Sequence, residues 1–115
     1  MHDKLLGLQN QLRVLHWGTG SYAEHKALGK AYEALDGLID SFIETWMGIH
    51  GKSLNTVRLE LHPYKAGSAE TLLNQAEDFF TGELDSAISD NTDLINIRDE
   101  MLGVVHHTKY LLTLK

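Results

Sequence analysis

Leucines at positions 5, 8, 12 and 15 recur at spacings of three and four, which lays one apolar stripe along a helix over residues 3–17. Gly18-Thr19-Gly20 interrupts the pattern, and the hydroxyl of Ser21 can cap the helix that follows. That second helix, over 22–50, carries an unbroken seam of Leu28, Tyr32, Leu35, Ile39, Phe42 and Trp46 and closes at Gly51. A third is predicted over 69–89, with Ser68 as its cap and Leu72, Leu73, Ala76, Phe80, Leu84 and Ile88 on its inner face. Asn91-Thr92-Asp93 then forms a turn and cap, and Leu94, Ile97, Met101, Val104 and Leu111 mark a fourth helix over 93–113.

The connections decide the topology. Short turns join the first helix to the second and the third to the fourth, so each pair is expected as an antiparallel hairpin. Residues 52–67 are far longer than an up-and-down bundle needs. The second helix spans about 42 Å at 1.5 Å per residue. Sixteen extended residues reach roughly 53 Å. The run Asn55-Thr56-Val57-Arg58-Leu59-Glu60-Leu61 reads as extended, with partial alternation of apolar and polar positions. A crossover along the whole bundle therefore fits. The chain is read as a single all-α domain, residues 1–115: a four-helix bundle of two antiparallel hairpins with ferritin-like connectivity. A loose loop on an up-and-down bundle is the alternative.

Charge and composition narrow the class. The net charge is -6 with acids and bases interspersed, and neither end carries a basic tail, which argues against an electrostatic grip on nucleic acid. There is no Cys, hence no disulfide framework, thiolate site or cysteine nucleophile. No apolar run has membrane-spanning length, and Met1-His2-Asp3-Lys4 does not open a signal peptide. A cytoplasmic setting is expected.

On a helical wheel with His25 at zero, Gly29, Glu33, Asp36, Asp40 and Glu44 fall between about 20° and 100°. The apolar seam lies roughly 110° away, so this stripe flanks the core at the bundle edge, where a second subunit could cover it. Asp40 and Glu44, four apart, can aim two carboxylates at one point, and oxygen with imidazole ligands suits iron, manganese or zinc. The plainer reading is a solvated, salt-bridged face. A di-iron centre inside one bundle needs Glu on two helices and Glu-x-x-His on two others. The first helix has no Glu, and neither Glu44 nor Glu100 precedes a His at that spacing. His106-His107 with Asp99-Glu100 is a second cluster, but adjacent histidines face different ways and read as packing or surface residues.

Leu15-His16-Trp17, a Gly-containing turn, the His25–Tyr32 segment, Leu35-Asp36, Ile39-Asp40 and the Glu44–Gly51 segment resemble the Dps-like miniferritins. They are also similar to short ferritin-like proteins encoded by some bacteriophages. The likeness covers residues 12–51. It implies a ferroxidase site shared across a two-fold dimer, with His16 and His25 from one subunit and Asp40 and Glu44 from its partner. Iron(II) would bind there and be oxidised by peroxide or dioxygen, with no catalytic residue beyond the metal ligands. Trp17 would stand beside it as an electron source. The sequence departs from the pattern in three places. The His16–His25 turn is three residues shorter, Gly29 stands where an acid is common, and the basic tail and small crossover helix are missing. The competing expectation is a metal-free accessory or assembly protein of the same fold, in a host cytoplasm if viral, with the stripe making dimer salt bridges.

Overall fold

The computed structural model describes residues 1–52 and 54–115; Ser53, within the expected crossover, lies outside the described residues. Those residues form five helices and no strand: α1 (His2–Gly18), α2 (Tyr22–His50), α3 (Ser68–Thr81), α4 (Glu83–Ile88) and α5 (Thr92–Leu112). Together they make a helical bundle 42 Å along its longest axis. None of these helices is long and apolar enough to cross a membrane.

The core follows the leucine stripe and the seam. Leu5, Leu12, Leu28, Leu35, Phe42, Phe80, Leu84 and Leu94 are all fully buried. Burying a side chain of this size stabilises the fold by about 1.5–3 kcal/mol. On the last helix the inner face is turned from the predicted one. Val104 and Leu111 sit half-buried at the rim, while Val105, Thr108 and Leu112 point inward beside Met101. Positions 94, 101, 105, 108 and 112 form the continuous heptad stripe, and the Thr108 hydroxyl joins it by donating to the Val104 carbonyl at 2.7 Å.

The expected 69–89 helix is broken. Gly82 leaves helical geometry at φ -110°, ψ -92°, and a Cβ there would lie 2.9 Å from the Asp78 carbonyl oxygen. Arg98 on α5 holds the break. Its guanidinium donates to the Phe80 carbonyl and to Asp85 and Asp99, each at 2.9 Å. Ser68 also departs from its predicted role. It is the first helical residue, Gly67 takes the cap position at φ 82°, and the serine hydroxyl donates to the Lys65 carbonyl.

Around the bundle, α2 packs on α1 and α5, and α3 packs on the same two, so α2 and α3 are diagonal. The segment after α2 explains why. Leu54–Arg58 lie beside Met1–Asp3, Leu59 reaches Gly7, His62 is pinned to Gln11, and Tyr64 meets Gly18. The crossover thus travels the length of α1 in the same direction, and α3 starts at the end of the bundle where α2 starts.

That end is closed by an ion pair whose carboxylate is buried and whose ammonium is partly exposed. Glu24 has no solvent exposure, and its carboxylate accepts from Lys115, which also donates to Glu70 at 2.7 Å. Burial pushes the Glu24 carboxyl up, but the Lys115 ammonium and the hydroxyls of Tyr64 and Thr19 outweigh it, leaving the pKa below the ordinary value of 4.5. Such a depressed acid stabilises fully above the unfolded pKa, and the contribution is lost as pH falls through the folded one. Lys115→Met strands a buried carboxylate and is expected to cost about 3 kcal/mol near neutral pH. The deficit should shrink as pH falls toward the wild-type folded pKa and be gone below it, where Glu24 is protonated in both proteins. Urea unfolding of both proteins across that range checks it, and a pH-independent deficit would refute the assignment.

Candidate metal centre

His16 ends α1 and His25 opens α2, and the tight turn between them folds one ring onto the other. The imidazoles stack with centroids 3.8 Å apart and planes 14° from parallel. Ser21 sets the entry to α2 by accepting from the Glu24 amide, while its own amide donates to Thr19. The short turn therefore brings the two histidines together.

The hydrogen bonds settle the tautomers. His16 Nδ1 lies 2.6 Å from the His25 carbonyl oxygen, and His25 Nδ1 lies 2.7 Å from that of His16. A carbonyl only accepts, so each Nδ1 carries a proton, and when the ring is neutral its lone pair is on Nε2. Among the described residues neither Nε2 makes a hydrogen bond, and neither is a buried, unpartnered atom. Metal-ligating histidines have this arrangement, with the second ring nitrogen donating to a backbone carbonyl.

Gly29 accounts for the position of His16. A Cβ on residue 29 would stand 2.7 Å from His16 Cε1 and 3.0 Å from Nδ1, so the ring occupies the space a side chain would fill. The absence of an acid at this position is what admits the imidazole. The pair borders a cleft of about 570 Å³ with Lys26, Gly29, Lys30 and Glu33 on its α2 wall.

Asp40 and Glu44 lie elsewhere on α2. Both are exposed and form no ion pair among the described residues, and the same holds for Glu33. Asp36 accepts from Gln9. From His25 to Asp40 is fifteen helical residues, or about 22 Å. One chain brings His16 to His25 but not to the two acids, and the described residues contain no cluster of three metal-ligating side chains. Trp17 is 68 % exposed at the same end, with Arg13 over its ring at 5.7 Å and over that of Tyr32 at 4.1 Å. His106 pairs with Glu77 at 2.9 Å, and His107 is exposed.

The residue that sequence reasoning missed at this end is Glu24. Its one available signal was its place three after Ser21, the acidic position of a capping box.

Fold and site define an all-helical bundle with a preset imidazole pair and a separate acidic stripe. Residues 16–112 match the family of unknown function DUF5856, and the chain belongs to that family. The chain is similar to an uncharacterized 14.6 kDa protein in the mobD-ri intergenic region of Enterobacteria phage T4. The two are 29% identical over 122 residues, covering 98% of this chain and 88% of the phage protein. No solved structure matches significantly.

Gly29→Ala tests the fit. Alanine gains about 1 kcal/mol of helix propensity over glycine, which offsets the local crowding, so the fold should hold. The His16 ring should swing out, seen as loss of the ring-current shift between the two imidazoles by NMR. An unchanged His16 resonance would show that the ring does not rest on Gly29.

Proposed function

We propose that this chain is a ferritin-like protein that binds iron(II) and oxidises it at a site shared by two copies. The observation that carries the reading is the imidazole pair, whose Nδ1 protons are committed to carbonyls while both Nε2 lone pairs stay free. Two antiparallel hairpins joined by a lengthwise crossover support the ferritin-like connectivity.

The need for a second copy follows from distance and charge. Asp40 and Glu44 cannot reach the histidines of their own chain. The flank of α2 is polarised, with His25, Lys26 and Lys30 toward its start and Asp36, Asp40 and Glu44 from its middle onward, Glu33 standing between the two groups. Two such helices, antiparallel about a two-fold axis, set each basic half against an acidic one and carry Asp40 and Glu44 to the partner's histidines.

The chemistry follows from the ligands. A ligated ion lies in its imidazole's plane, and nearly parallel planes 3.8 Å apart cannot share one ion. Each histidine thus takes its own, suiting a pair separated by about 3.5–4 Å. Asp40 and Glu44 bridge the ions and neutralise the ferric product. With peroxide, each of two iron(II) ions gives one electron, and peroxide with two protons leaves as two waters. Zinc or manganese fit the same ligands without turnover.

A second reading rests on Lys26 and Lys30. They could neutralise Asp40 and Glu44 across the same dimer without metal, making a metal-free accessory or assembly protein. Anaerobic iron(II) followed by peroxide separates the two. The wild type should show ferric absorbance above background, and His25→Ala and Asp40→Ala should lose it. Mixing the two variants should restore about a quarter of the sites, because each mixed dimer has one intact site. Equal traces for wild type and variants would sink the ferroxidase reading.

A further inference from the structure

The crossover is held to the bundle at one end of an otherwise unbonded run. Gln11 donates its amide to the His62 carbonyl at 2.7 Å and accepts from the His62 amide at 2.8 Å. Upstream, the main chain of Leu54–Leu61 makes no hydrogen bond among the described residues. The run carries no helix or turn and advances along α1 from beside Met1–Asp3 to Gln11, and Glu60 and His62, two apart, approach to 4.0 Å on one side of it. Leu59, on the other side, lies toward Gly7 of α1. Leu54, Leu59 and Leu61 stay 56%, 41% and 42% exposed.

An extended segment with free N–H and C=O groups and exposed leucines is an open strand edge. Among the described residues this one lacks the usual protection of a covering element, although Pro63, which has no N–H, bounds it at one end. Its sequence matches itself in reverse. Antiparallel pairing about Leu59 sets Leu59 against Leu59, Val57 against Leu61, and Arg58 against Glu60 of the second copy. All apolar residues then share one face, and both charge pairs are of opposite sign.

We propose that residues 56–62 pair with the same segment of a second copy as a two-stranded antiparallel ribbon centred on Leu59. A ribbon of this size is marginal alone, so its stability comes from the leucines that it buries beside α1. The pairing needs no metal and stands apart from the iron reading.

The chain has no cysteine, so a single introduced thiol reports on the pairing directly. Residues directly opposite in such a ribbon have Cα atoms about 4.5–5.5 Å apart, within disulfide range. Leu59→Cys should crosslink two copies on mild oxidation. Asn55→Cys should not, its partner being displaced by eight residues, or roughly 26 Å. Arg58→Glu and Glu60→Arg should each weaken the dimer roughly ten-fold in sedimentation equilibrium, and the double variant should recover it. Adding His25→Ala to the Leu59→Cys variant should leave its crosslink intact, which separates this pairing from the metal site. A wild type that stays monomeric at its highest soluble concentration would overturn the proposal. So would equal crosslinking at 55 and 59, or no recovery in the double swap.

Discussion

The seam on α2 must be covered along its whole length, and the rest of the molecule answers that requirement. Leu28, Leu35, Ile39 and Phe42 are spread over a single 29-residue helix, and no other described helix is as long. α1 covers one flank and α5 the other, while the broken α3–α4 pair fills the remaining side between them. A chain leaving the far end of α2 then has to travel back before α3 can run beside α1. The extended crossover is the consequence of helix length, and its exposed edge is a consequence of the crossover.

The same helix sets the site. Its first turn takes a histidine, its second a glycine that leaves room for the ring from α1, and its later turns an acidic flank with no ion-pair partner among the described residues. Imidazole and carboxylate end up at opposite ends of one rigid rod. Rigidity keeps them apart within a copy, and it would bring them together across a two-fold axis. Gly29 is central to this. The side chain missing there is what lets His16 lie flat on α2 and stack on His25.

The sequence showed the helices through periodicity, and His16, His25, Asp40 and Glu44 stood out by residue type and spacing. What it concealed depends on contacts far apart in the chain. Gly82 reads as a tolerated helical glycine, since the Arg98 side chain that caps the broken turn comes sixteen residues later. The inner face of α5 was misjudged because Val104 and Val105 are equally apolar, and only the neighbouring helices choose between them. Glu24 stands in the first turn of α2, and the cation it meets lies 91 positions away. The stacking of two histidines could not be read from a nine-residue interval, because it depends on the absence of a side chain at Gly29.

The Glu24–Lys115 clamp also has a consequence for order in time. Protein synthesis runs from the amino terminus, so α1 and α2 emerge and can form their hairpin long before Lys115 exists. Until then Glu24 has no ammonium to meet, and closing the bundle over it would leave its carboxylate with only the hydroxyls of Tyr64 and Thr19. A bundle closed at this end before residue 115 has emerged therefore carries the cost of an unpaired buried charge. The arrival of that one ammonium is what seals it.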